Sequence, residues 1–293
     1  MNLLSDEALA QLSRLQLTAK QIVEGFLIGL HKSPYHGFSV EFADHRQYNP
    51  GESLRNVDWK IVGKTERYYV KRYDEETNLR AYILLDHSKS MFFNSSGISK
   101  IEYAKRLAAS LTWLMIAQKD AAGLITFNHR VTSALTPKAF RSYTAQIFTR
   151  LIQLQPEEQT DILSPLHQIA ESLKKRGFII LISDLLEDPE KIITALKHFR
   201  SHKHEVIVFH LYDPQEAKFD LRRETEFIDS ETGERMIVNP WQIRSEYQHH
   251  FQGFYRELKH ACHQYNIEYL PVGTDEDIAK LLMKYLLRRK KGR

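Results

Sequence analysis

Short apolar runs alternate with amphipathic stretches from about residue 79 to the C-terminus, and this alternation predicts βαβ units feeding a mostly parallel sheet. Ala81-Tyr82-Ile83-Leu84-Leu85 is a compact apolar run ending at Asp86, which reads as a central strand. Ile101, Ala104, Leu107, Ala108, Leu111, Leu114 and Met115 then recur at helical spacing over 100–118. Strands follow at 121–127 and 130–135, joined by a turn at Asn128-His129, which makes the second of them an antiparallel partner. Helices are expected at about 138–154 and 162–175, and a buried strand at 178–182. A helix at 189–199 leads to a strand at 205–211. Residues 213–240 break the rhythm and read as an inserted hairpin turning near Gly233, before a long helix (241–264), a last strand (267–271) and a last helix (275–290). The expected fold is α/β, doubly wound, with a mostly parallel six-stranded sheet and one antiparallel edge strand. Residues 1–78 are polar, dense in both charge signs, and read as a helical and charged N-terminal extension to the 79–293 domain.

Composition narrows the class. With 42% hydrophobic and 27% charged residues, the 293-residue chain has the balance of a globular protein, and no stretch reaches the roughly 20 apolar residues of a membrane helix. The net charge of +4 comes from Arg288, Arg289, Lys290, Lys291 and Arg293, which leaves a body near neutrality rather than a surface built for nucleic acid. The single cysteine, Cys262, excludes an internal disulfide, and the acidic N-terminus does not read as a signal peptide; a cytoplasmic location is expected.

In open α/β sheets ligands bind at the carboxyl ends of the strands. There the sequence places Asp86-His87-Ser88-Lys89-Ser90 after the first strand, Thr160-Asp161 before a helix, and Asp184 after the fourth strand. Asp86, Ser88, Ser90, Thr160 and Asp184 are all hard oxygen donors, suited to Mg²⁺ or another divalent cation such as Mn²⁺ or Ca²⁺. The same residue types also serve as caps and turns. No catalytic residue is assigned. His87 adjoins the serines, yet neighbouring side chains in a turn rarely form a nucleophile–base pair, and the histidines near 198–204 and 260–263 lack a convincing zinc set. A Mg²⁺-dependent hydrolase or phosphotransferase using Asp86 and Asp184 is the alternative to a binding module.

These five residues resemble the metal-ion-dependent adhesion site of von Willebrand factor A domains, over about 79–290. That resemblance implies a divalent cation with one coordination position open to a partner's carboxylate. Position 89 is often small in that family; Lys89 here would repel the cation or pair with an acid such as Asp161. A second resemblance covers Ser33, Gly37, Glu41-Phe42, Arg46, Tyr48, Gly51, Arg55, Val57-Asp58-Trp59-Lys60, Val70-Lys71 and Glu75-Glu76. This spaced signature is similar to that of the bacterial domain of unknown function fifty-eight, with Gly63-Lys64 and Glu52 as mild departures. It implies partnership with a MoxR-type AAA+ ATPase. Arg46, Tyr48, Arg55, Asp58, Trp59, Lys60 and Lys89 are the candidate partner contacts, since Arg, Tyr and Trp anchor interfaces.

Overall fold

In the computed structural model the described residues are 6–32, 45–47, 63, 69–71, 79–95, 97–156, 162–221, 224–228 and 235–291. They fall into two compact units, one joining residues 1–29 to 79–293 and one spanning 30–78. In the smaller unit, β1 (His45–Gln47) pairs antiparallel with β2 (Tyr69–Lys71), setting Arg46 opposite Val70. Tyr48, Arg55, Asp58, Trp59 and Lys60 lie outside the described residues.

The larger unit is built on a six-stranded sheet. β3 (Arg80–Asp86), β4 (Ala121–Phe127), β5 (Val131–Lys138), β6 (Phe178–Ser183), β7 (Glu205–Tyr212) and β10 (Glu268–Gly273) lie in the order β5-β4-β3-β6-β7-β10. Only the β4–β5 pairing is antiparallel. Numbered by appearance this order is 3-2-1-4-5-6, the doubly wound arrangement expected of a von Willebrand factor A-like domain. β3 and β6 are buried on both faces, which is why they read as unbroken apolar runs.

Helices cover both faces. On one, Leu84, Phe127, Leu181 and Val208 pack with Leu166 and Ile169 of α4 (Leu163–Ser172), Leu196 and Phe199 of α5 (Pro189–Ser201), and Leu258 of α7 (Pro240–Gln264). The other face is covered by α2 (Lys100–Ala117), whose Leu107, Ala108 and Leu111 are buried, and by α8 (Ile278–Lys291), whose Tyr285 meets Phe209 edge to face. α3 (Tyr143–Ile152) packs beside α2. α1 (Asp6–Lys32) buries Leu15, Ala19 and Val23, one stripe at four-residue spacing.

Two departures from the sequence reading have local causes. β5 runs to Lys138 rather than 135, so α3 begins at Tyr143. Pro137 is tolerated there because β5 is the edge strand. The 213–240 insertion contains the expected antiparallel strands, β8 (Thr225–Ile228) and β9 (Arg235–Val238), preceded by a short helix, α6 (Pro214–Lys218). Asp213 caps α6 in a reciprocal box with Glu216, a signal the two-strand reading passed over.

Candidate metal centre

Parallel pairing sets Leu85 of β3 opposite Ile182 of β6, so Asp86 and the Ser183-Asp184 turn emerge together on one rim. Asp86 is fully buried. Its Oδ1 accepts from the Ser88 amide at 2.8 Å and its Oδ2 from the Ser183 hydroxyl at 2.6 Å. Ser88 and Ser90 bring their hydroxyls to 3.1 Å of each other, with Lys89–Phe92 forming a single 3-10 turn. Asp184 is held by an unusual backbone. Leu185, next in the chain, sits at φ 45°, with its amide donating to the Ser183 hydroxyl at 2.9 Å and its side chain buried in the core. A left-handed leucine costs about 1 kcal/mol, offset here by that burial.

Thus Asp86, Ser88, Ser90 and Asp184 are brought to one rim; Thr160 and Asp161 lie outside the described residues. His87 turns away. Its Nδ1 donates to the Gln155 carbonyl at 3.0 Å and its Nε2 lies 2.8 Å from the Thr132 hydroxyl.

The cation at this rim is not the one the sequence drew attention to. Lys89 is half-buried beside the site, but Lys100 is fully buried in it, with Nζ 2.8 Å from Asp184 Oδ2 and 2.6 Å from Glu216 Oε1. Burial alone would push this ammonium down, but Asp184 and then Glu216 outweigh it and hold it above its ordinary value. Ser183 and Glu216 were missed as well. Glu216 Oε2 accepts from the Asp213 amide at 2.7 Å, and Asp213 in turn accepts from the Ser95 amide at 3.0 Å. His210 completes the rim on β7. It is buried, and burial pushes its imidazole down to about 4, so it is neutral. Its Nε2 donates to the Asp184 carbonyl at 2.8 Å, which leaves Nδ1 to accept from the Tyr269 hydroxyl.

Asp184 and Glu216 share Lys100, and Asp86 lies close enough to Asp184 to feel its charge, so the three carboxylates exceed Lys100 by two negative charges when all are ionised. Burial, and then the Asp184 charge, push the Asp86 carboxyl from 3.8 up to about 7, against the hydrogen bonds from Ser183 and Ser88. Asp184 Oδ2 is paired with Lys100. Hard oxygens and a surplus of acid fit one divalent cation. Beside the rim lies a cleft of about 570 Å³ with Asp184 and Glu216 on one side and Tyr247, Phe251 and Tyr255 on the other.

Fold and rim together define a von Willebrand factor A-like domain with a candidate cation site at the carboxyl ends of β3 and β6. The chain belongs to the family described as protein of unknown function DUF58, whose model matches residues 44–253. It is 22% identical over 289 residues to uncharacterized proteins of Mycobacterium tuberculosis and Mycobacterium bovis, covering 97% of this chain and 90% of each relative. Among solved structures it is similar to the conserved hypothetical protein BatB of Bacteroides thetaiotaomicron (TM-score 0.50, 18% identity, 73% of this chain and 99% of that one). It is also similar to an aerotolerance-related membrane protein of Bacteroides fragilis (TM-score 0.50, 19% identity, 73% of this chain and 100% of that one). These likenesses concern the fold. No helix among the described residues is long and apolar enough to cross a membrane.

Proposed function

We propose that this chain is a metal-dependent protein–protein interaction module, a cytoplasmic adaptor working with a MoxR-type AAA+ ATPase in the assembly or maturation of a complex. The observation that carries the reading is the meeting of Asp86, Ser88, Ser90 and Asp184 on one rim with more acid than Lys100 neutralises. Mg²⁺, or Mn²⁺ or Ca²⁺, would be held by these residues with Thr160. Once bound, it supplies a Lewis-acidic position for an acidic side chain of the partner. The chain's own residues do the rest. Ser183 and the Ser88 amide orient Asp86, and Leu185 fixes the Asp184 turn. Lys100 restrains Asp184, and the aromatic cleft next to the rim offers a seat for a bulky neighbour of the partner's acid. The ATPase partnership rests on membership of the DUF58 family, and the smaller unit, with Arg46, is its proposed contact.

The test is affinity capture with the full chain as bait. A MoxR-type ATPase should be retained in Mg²⁺ and largely lost in EDTA; absence of the ATPase in both ATP- and ADP-containing buffers would refute the partnership. A hydrolase would need a free base at the rim; His87 is engaged elsewhere, and both ring nitrogens of His210 are taken by Asp184 and Tyr269. Metal-dependent phosphoester turnover abolished by Asp184→Ala would nevertheless replace the adaptor reading with the enzymatic one.

A further inference from the structure

A second cleft, of about 540 Å³, lies between the N-terminal helix and the body of the larger unit, lined by none of the acidic rim's carboxylates or hydroxyls. Two helical stripes face each other across it. Gln11, Arg14 and Thr18 recur at spacings of three and four on α1, and on α2 the adjacent Lys105 and Arg106 lie three and four residues after Glu102. α1 is fixed against the body by buried Leu15, Ala19 and Val23, so the pairing of the stripes is a property of the fold.

The charges do not balance. Arg106 Nε lies 3.4 Å from Glu102 Oε1, which neutralises that pair. Arg14 and Lys105 remain, with no carboxylate in salt-bridge range among the described residues. Lys105 is half-buried, and its burial pushes the ammonium down with only Glu102 acting against it. A half-buried cation without a partner is costly unless an anion completes it. Leu15, Phe92, Ile152 and Leu154 give the remaining wall an apolar surface, with Gln155 at its edge.

We propose that this cleft binds a phosphate-bearing small molecule. A phosphate monoester carries nearly two negative charges, matching Arg14 and Lys105, whereas a carboxylate would match one. The guanidinium of Arg14 offers a planar fork to phosphate oxygens, and Lys105 a point charge. The amides of Gln11 and Gln155 and the hydroxyl of Thr18 are further donors at the edge. The apolar wall leaves space for an organic group on the phosphate. The ligand is therefore either an organic phosphate, with its body against Phe92, or inorganic phosphate alone.

Calorimetric titration of the full chain with inorganic phosphate, adenosine monophosphate and acetate tests this. The expected result is phosphate and nucleotide binding that weakens with salt, little acetate binding, and a loss of about tenfold or more in affinity in both Arg14→Ala and Lys105→Met. Arg14 is exposed, so its variant should keep the parent's thermal midpoint and carry the test if Lys105→Met folds poorly. Tighter binding of the nucleotide identifies an organic phosphate; equal affinities identify inorganic phosphate. The proposal is overturned if neither phosphate ligand binds at millimolar concentration, if acetate binds as well as phosphate, or if Arg14→Ala leaves the affinity unchanged.

Discussion

Lys100 occupies the first position of α2, where the positive end of the helix dipole disfavours a cation. That misplacement was visible in the sequence, directly after the capping Ser99, and was the one cue to a lysine serving the site rather than the surface. It was passed over because Lys89, inside the serine loop, attracted the same reasoning at closer range. The oxygen-bearing side chains of the rim were legible because Asp, Ser and Ser alternate in a turn after an apolar strand. The orientation of Asp86 by Ser183, and the bridge from Asp184 through Lys100 to Glu216, depend on contacts between residues about a hundred apart. No local pattern encodes such contacts. Replacing Lys100 by Met should destabilise the metal-free fold by about 3–5 kcal/mol, because two carboxylates lose a buried counter-charge. Urea denaturation in EDTA measures this, and a change below about 1 kcal/mol would contradict the pairing. Cys262 offers a simpler prediction. It is fully buried, and burial pushes its thiol from 9.0 up to about 12. Since the folded value is the higher one, the stability it contributes is complete below pH 9 and is lost as pH rises from 9 towards 12. At pH 8 it should be inert to a thiol-specific disulfide reagent until the protein unfolds; rapid labelling of the native chain would contradict the burial.

At the scale of elements, the parallel strands were legible because they are buried on both faces and the apolar run is the whole message. The edge was harder to read. β5 has no fully buried position, ends beyond a proline, and pairs with β4 through register shifts across Gly123 and near Phe127. Gly123 explains the closeness of that pairing. A Cβ there would meet the Leu135 carbonyl oxygen at 2.5 Å and the Pro137 nitrogen at 2.8 Å, both backbone atoms with little freedom to yield. Gly123→Ala should therefore cost about 1–3 kcal/mol by overpacking, detected as a lower urea midpoint with an unchanged slope. Equal or greater stability would mean that β5 is not held as described. The short α6 was missed because five residues carry too little periodicity to register as a helix, although its capping box was present in the sequence. Its last cap, Phe219, is left-handed at φ 48° and stacks on Tyr247 of α7 and Phe227 of β8. The insertion is thus tied to the body through aromatic rings rather than through the sheet.

For the molecule as a whole, one arrangement of charge accounts for the site. Folding a doubly wound sheet brings two strand ends together, and with them Asp86 and Asp184, which repel each other in a buried setting. Lys100 relieves part of that repulsion and a divalent cation would relieve the rest. On the proposed reading metal binding would relieve this repulsion, and a ligand that binds only the folded chain stabilises it by mass action. The most direct measurement is the thermal midpoint of the full chain and of Asp86→Asn, each in EDTA and in excess Mg²⁺. The account predicts a clear Mg²⁺-dependent rise for the parent protein. The variant, which keeps the size of the side chain but not its charge, should lie at or above the parent in EDTA and show no response to Mg²⁺. A parent midpoint that ignores Mg²⁺, Mn²⁺ and Ca²⁺ alike, or an undiminished response in Asp86→Asn, would contradict it.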